Sequence, residues 1–231
     1  MLELRSRSRD FKDALFTQFA QVGGAFSSPK RIELIDLLAQ GERPVEALAR
    51  EAGLSVANTS RHLQVLKAAR LVATRRDGAQ VFYRLADPMV LRGYRALREL
   101  SETSLADVGR LVDTYFGSTD GLEPVEKEEL LRRAREGDIQ VLDVRPPEEF
   151  AAGHIAGAMS VPLAELEKRL ADFPAGRLVV AYCRGPYCVL AAEAVKLLRS
   201  RGVDAQRLKE GYPEWRDAGL PVAIPGDHSR H

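Results

Sequence analysis

The stretch Cys183-Arg184-Gly185-Pro186-Tyr187-Cys188, with its two flanks, constrains the fold more than any other part of the chain. Before it runs Leu178-Val179-Val180-Ala181-Tyr182, a continuous apolar segment of the kind that forms a strand buried on both faces. After it, Val189 to Arg201 carries Leu190, Ala194, Leu197 and Leu198 at helical spacing. A buried strand turning directly into a helix implies an α/β layer. The turn then lies at the carboxyl edge of the sheet, where ligands bind in open α/β folds. Backbone N–H groups of such a turn, and the dipole of the following helix, favour an anion. Both effects lower a thiol's pKa and stabilise a thiolate or a persulfide.

The chain has 231 residues and no cysteine outside this loop. Its start, Met1 to Asp10, is charged and no secretory apolar region follows. No run approaches the roughly 18 apolar residues of a membrane span. The expectation is a cytoplasmic protein with no membrane partner, where thiols are kept reduced. Two cysteines five positions apart then point to reactive or redox chemistry rather than a structural staple.

The rest of the second half alternates between strand and helix patterns. Val125 to Arg135 is expected as a helix and Gln140 to Val144 as a strand. Pro147 to Ala152 follows as a short helix, Met159-Ser160-Val161 as a strand and Leu163 to Leu170 as a helix. Ala205 to Leu208 is a last strand and Tyr212 to Ala218 a closing helix. This order argues a mostly parallel sheet.

The first half has a different grammar. Phe11, Leu15, Phe19 and Val22 share one face of a first helix, which Gly23-Gly24 is expected to end. Ser28-Pro29 opens a second helix that Gly41 stops. Helices over Pro44 to Ala52 and Ser55 to Ala69, the latter with Leu63, Val65 and Leu66 inward, are joined at Gly53-Leu54, a helix-turn-helix pattern. Leu71 to Arg76 and Gln80 to Leu85 alternate like strands about Asp77-Gly78, a hairpin signal. A hairpin in that position is a wing. A long helix from Pro88 to Phe116 carries more apolar surface than so small a domain covers, and a second copy of the chain is its natural partner.

Residues 1–117 hold 18 Lys and Arg against 14 Asp and Glu, while residues 118–231 hold 16 against 19. That asymmetry is too mild to indicate nucleic acid by itself. The local count is stronger: six basic residues and one acid, Asp77, lie between Arg61 and Arg84. Arg75 and Arg76 on the wing suit phosphate contacts, and Val56, Asn58, Thr59, Arg61 and His62, after the capping Ser55, suit base edges. The domains follow as 10–117 for the winged helix, 118–123 for a linker, 124–222 for the α/β domain and 223–231 for a tail. The fold class is multidomain: an N-terminal, mainly α winged helix-turn-helix followed by an α/β domain with a mostly parallel sheet.

The segment from Leu54 to Leu66, with Ala69 to Val72, Arg75 to Gly78 and Phe82 to Leu85, closely resembles the ArsR/SmtB family of winged-helix repressors. The resemblance implies a double-stranded DNA operator as partner, a homodimer built on the first and last helices of the domain, and a helix from Ser55 that enters the major groove. Val56 stands where members often carry glutamine. The family's usual metal sites are missing: residues 1–182 contain no cysteine and Pro88 to Phe116 no histidine. His62, His154, His228 and His231 show no ligand spacing, so no metal and no cofactor is expected.

Residues 122–222 resemble a single-domain rhodanese through Leu142-Asp143-Val144-Arg145, Glu148-Glu149-Phe150, Gly153 to Ala158, the Cys183-Arg184-Gly185 loop and Gly211-Tyr212-Pro213-Glu214-Trp215. The resemblance implies a nucleophilic Cys183 that takes sulfane sulfur from a donor such as thiosulfate or a polysulfide and passes it to a thiol acceptor. The catalytic loop would be Cys183, Arg184, Gly185, Pro186, Tyr187 and Cys188. Arg145 either adds charge to the loop or pairs Asp143 or a glutamate, and the ion pair is preferred. His154 is expected to be structural. Cys188 departs from the family, whose loop often closes on a basic or small polar residue. It is either a second redox thiol, attacking a Cys183 persulfide, or a small buried residue at a helix start. A phosphatase or arsenate reductase on the same fold needs a longer loop closed by arginine, where Val189 stands. Three functions remain in view: a transcription regulator that senses sulfane sulfur, a sulfurtransferase that the winged helix only localises or dimerises, and an inactive rhodanese fold kept as an interaction platform, which the intact Cys183 disfavours.

Overall fold

A computed structural model describes residues 2–117, 124–173 and 176–224. The expected linker, residues 118–123, lies outside the described residues, as do His228, His231 and most of the expected tail. The chain forms two compact units that divide between Glu99 and Leu100.

The first unit contains α1 (Leu2–Phe26), α2 (Pro29–Ala39), β1 (Arg43–Pro44), α3 (Val45–Glu51), α4 (Val56–Ala68), β2 (Val72–Asp77) and β3 (Gln80–Leu85). It also holds the start of α5 (Pro88–Ser104). Leu34, Ile35, Leu38, Leu48, Leu63, Leu66, Leu71 and Tyr83 form one buried cluster. The helices α3 and α4 are the helix-turn-helix, with Gly53 in the left-handed region at the turn. The hairpin β2–β3 is in register from Val72 opposite Leu85 to Asp77 opposite Gln80. It is the wing.

Three expectations about this half need correction. Gly23-Gly24 does not end α1, which continues to Phe26 and buries Ala25 against the core; tertiary packing there outweighs the low helix propensity of glycine. The helix expected from Pro44 starts at Val45, and Pro44 with Arg43 pairs with Phe82 and Tyr83 as a third strand of the wing sheet. Proline is tolerated because this is an edge strand. The single helix expected from Pro88 to Phe116 breaks at Leu105, which has an extended backbone and separates α5 from α6 (Ala106–Phe116). Ser101, Thr103 and Ser104 precede the break. Thr103 donates its hydroxyl to the Leu100 carbonyl, and such local bonds compete with the helix.

The second unit continues with α7 (Lys127–Glu136), β4 (Ile139–Asp143), α8 (Pro147–Ala152), β5 (His154–Ile155), β6 (Met159–Ser160) and α9 (Leu163–Leu166). A 3-10 turn spans Glu167–Asp172. Then come β7 (Leu178–Tyr182), α10 (Val189–Ser200), β8 (Ala205–Arg207), α11 (Tyr212–Asp217) and β9 (Val222–Ala223). The main sheet is parallel with order β6-β4-β7-β8. A separate antiparallel pair joins β5 to β9. Side chains of β7 alternate: Val179, Ala181 and Cys183 enter the cluster with Ala191, Ala194, Val195 and Leu198 of α10, while Leu178, Val180 and Tyr182 enter the cluster with Leu130, Tyr212 and Trp215. Helices therefore cover both faces, which is why the strand is apolar throughout. Among the described residues no helix is long and apolar enough to cross a membrane.

Candidate functional site

The cysteine loop leaves the carboxyl end of β7, a central strand of the sheet, and delivers the chain to the N-terminus of α10. Cys183 is 2% exposed and continues the row of Val179 and Ala181. Cys188 is half-buried and is the N-cap of α10, with an extended backbone. The two cysteines are joined by a disulfide with their Cα atoms 6.1 Å apart. The Cys188 N–H donates to the Gly185 carbonyl at 3.1 Å, closing the loop into a tight turn.

Neighbouring chain holds the loop from below. Gly211 lies so close that a Cβ there would fall 2.3 Å from the Gly185 nitrogen and 2.4 Å from the Arg184 carbonyl carbon. Only a glycine permits that approach. Tyr212 donates its N–H to the Cys183 carbonyl, and the buried Glu214 accepts from the Gly211 N–H.

Charged side chains around the loop are engaged in ion pairs. Arg184 bonds through Nε and Nη2 to Glu149, at 2.9 and 2.6 Å to Oε1. Glu149 is fully buried. Arg145 and Asp143 are also fully buried, with Nη2 to Oδ2 at 2.7 Å and Nε to Oδ1 at 3.0 Å. Arg145 donates further to the Gly153 carbonyl and lies 4.4 Å from the Tyr212 ring centroid. Burial works against its charge, but the bonds to Asp143 more than offset this and hold its pKa above the ordinary value. Tyr182 donates its phenol to Asp143 at 2.5 Å and accepts from the Ile155 N–H. Burial, and then the adjacent carboxylate, push that phenol far above its usual range. Of the two partners expected for Arg145, Asp143 or a glutamate, the ion pair is with Asp143.

His154 stacks on Phe150 at 3.6 Å between ring centroids, and its Nδ1 lies 3.0 Å from the Phe150 carbonyl. That is a packed position consistent with a structural histidine. Tyr187 is 39% exposed and donates its phenol to Glu102 near the end of α5, at 2.5 Å. Pro186 lies between these positions in the turn.

In the first unit, the N-cap Ser55 accepts from the Asn58 N–H. Val56, Asn58 and Arg61 are exposed on α4, and His62 is half-buried. Thr59 is not exposed: it is fully buried and bonds the Ser55 carbonyl, so it faces the core and not a groove. Val65, expected inward, is 43% exposed. A helix of this length has only one buried stripe, and Leu63 and Leu66 fill it together with Thr59. Gln64, which sequence reasoning passed over, is exposed between Arg61 and Val65. Arg75 and Arg76 are both exposed on β2. Arg75 bonds Glu42 and Asp77 and lies 4.7 Å from the Phe82 ring centroid, so its charge is partly matched within the wing. Its bonds to Glu42, then Asp77, raise its pKa. Among the described residues no group of three or more His, Cys, Asp or Glu side chains is placed to share a metal ion.

The fold and the loop define a winged-helix protein with a second, α/β unit that displays a cysteine at a strand-to-helix turn. Comparison with known proteins places it more closely. The arsR family of bacterial regulatory proteins matches residues 28–74, and the rhodanese-like domain family matches residues 126–218. The HTH-type transcriptional regulator Rv0324 of Mycobacterium tuberculosis is 45% identical over 213 residues, 92% of this chain and 93% of its own. A protein named Sulfurtransferase from Allochromatium vinosum is 31% identical over 103 residues, 44% of this chain and 94% of its own. A solution structure from Mycobacterium bovis, described as a homodimeric winged helix-turn-helix DNA-binding domain, is 40% identical, covers 42% of this chain and 89% of that one, and has a TM-score of 0.40. The chain belongs to the arsR family of helix-turn-helix transcriptional regulators and carries a rhodanese-like domain after its winged helix.

Proposed function

We propose that this regulator is a cytoplasmic homodimer that binds an operator through α4 and the wing, and that its rhodanese-like domain takes sulfane sulfur as a persulfide on Cys183. Loading of the loop would change operator affinity. The observation that carries this reading is the place of Cys183: the end of a central parallel strand, at the foot of a tight loop capped by the N-terminus of a 12-residue helix. The Cys183 thiolate attacks the terminal sulfur of a polysulfide or the outer sulfur of thiosulfate, and the donor leaves as the polysulfide one sulfur shorter or as sulfite. The new Cys–S–S⁻ anion is stabilised by loop N–H groups and by the α10 dipole. Arg145 and Arg184 are tied to Asp143 and Glu149, so their part is to shape the loop.

The homodimer is supported by the uncovered face of α1, where Phe11, Phe16 and Phe19 are 66%, 59% and 61% exposed in the single chain. Side chains that large, left in water together, mark an interaction surface. DNA binding is supported by the family and by the exposed Val56, Asn58, Arg61 and Arg76.

A second reading has its own support in the relative named Sulfurtransferase. In it, Cys183 passes sulfur to an acceptor thiol catalytically and the winged helix localises the enzyme. One experiment addresses both. The reduced protein is treated with inorganic polysulfide or thiosulfate, and intact mass and transfer to cyanide are recorded. The expected result is one added sulfur, mapped to Cys183 in a Cys188→Ser background. No mass gain by the Cys188→Ser protein with either donor would remove both readings. Repeated turnover to thiocyanate, with unchanged affinity for DNA selected from a random library, would leave the enzyme alone.

A further inference from the structure

We propose that Cys188 is the resolving nucleophile of the loop: it attacks the Cys183 persulfide and expels hydrosulfide, leaving the Cys183–Cys188 disulfide. The proposal rests on Cys183 as the sulfur acceptor and assigns the next step.

Four observations carry it. The two sulfurs are within bonding reach, since the structure joins them, and the Cα separation of 6.1 Å lies in the range that disulfides span without backbone movement. The intervening four residues are held as a closed turn by the Cys188 N–H to Gly185 bond, and Gly211 packs against the backbone of that turn. The two groups are therefore presented to each other at high effective concentration. Cys188 caps a 12-residue helix without using its side chain as a cap. In the reduced loop the helix dipole favours a thiolate there. Finally, Cys183 is almost fully enclosed while Cys188 is half-buried. An external thiol has less access to the inner sulfur of a Cys183 persulfide than the neighbour already in the loop.

The step balances. Cys188 Sγ⁻ attacks Cys183 Sγ, the Sγ–Sγ bond forms, and the bond from Cys183 Sγ to the outer sulfur breaks. The electron pair leaves with the outer sulfur as HS⁻, whose proton is the one released from the Cys188 thiol. The two cysteines together lose two electrons and the sulfane sulfur gains them, so the donor from the first step is the only oxidant. The product has no free thiol in the loop. It accepts no further sulfur until an external thiol, such as glutathione or a dithiol, reopens the bond. The loop thus converts an encounter with sulfane sulfur into a lasting covalent record and limits each loading to one turnover.

The test treats fully reduced full-length protein with inorganic polysulfide under nitrogen. It compares wild type with Cys188→Ser and Cys188→Ala, reading intact mass, peptide mapping and released hydrosulfide after removal of excess donor. Wild type is expected to end at the reduced mass less two hydrogens, with the Cys183–Cys188 peptide bridged and one equivalent of hydrosulfide released. Both variants are expected to hold one extra sulfur on Cys183 and to release none until a thiol is added. A wild type that keeps its persulfide as long as the variants do would overturn the resolving role. So would Cys183→Ser protein that takes up sulfur on Cys188, because the order of attack would be reversed. If neither Cys188 variant gains sulfur while circular dichroism shows both folded, Cys183 is not the acceptor and the function proposed above fails with this one.

Discussion

At the residue scale the second unit turns on Arg145. Its guanidinium is fully buried, bonded to Asp143 and the Gly153 carbonyl and packed on Tyr212. Arg145→Ala leaves Asp143 as a buried charge without its partner, a loss of about 3–5 kcal/mol for such pairs. Thermal or denaturant unfolding should show it, with a smaller loss for a double Arg145→Met, Asp143→Leu replacement; a loss below about 1 kcal/mol would place the pair in the range of surface ion pairs. Tyr182 gives a pH prediction. Its pKa is raised on folding, so its contribution is complete below the unfolded value of 10.0 and is lost as pH rises above that. In alkaline titration followed by tyrosine absorbance, one phenol should ionise only with unfolding; ionisation of every tyrosine in the native protein would contradict the burial of Tyr182 against Asp143. The Arg145–Asp143 pair was legible because the two residues stand two apart in one motif. The bond of Arg184 to Glu149 was not, because 35 residues separate them.

At the scale of elements, the loop depends on what passes beneath it. Gly211→Ala puts a methyl group where the Gly185 and Arg184 backbone lies, so the loop must shift. Overpacking of this kind costs about 1–3 kcal/mol. In a Cys188→Ser background, the expected outcome is a folded protein that no longer gains sulfur at Cys183 by intact mass; normal uptake would show that loop placement is not critical. Strand β7 and helix α10 were readable from apolar run and periodicity, because both are governed by local pattern. The short pairings were not. Arg43–Pro44 finds Tyr83 and Phe82, and His154–Ile155 finds Val222–Ala223, through contacts distant in sequence. The break at Leu105 also escaped, since apolar spacing continues through it while the Thr103 hydroxyl before it bonds the backbone.

At the scale of the whole molecule, the proposed function couples a winged-helix dimer to a sulfur-accepting loop. Phe16→Asp with Phe19→Asp should convert the protein to a monomer by sedimentation and weaken DNA binding; an unchanged dimer would move the interface elsewhere. The family and the two folds were legible from joint motifs, whereas Thr59 was misassigned to the DNA-facing side because a hydroxyl on a helix with polar neighbours gives no sign of burial. The central claim is that chemistry at Cys183 controls the operator. Its most direct test is the affinity of wild type and Cys183→Ser for DNA selected by the reduced protein, each before and after polysulfide. The wild-type affinity should change by about 5- to 150-fold, the usual range of allosteric coupling, and the variant's should not. An equal response in both proteins, or none in wild type that has demonstrably taken up sulfur, would contradict it.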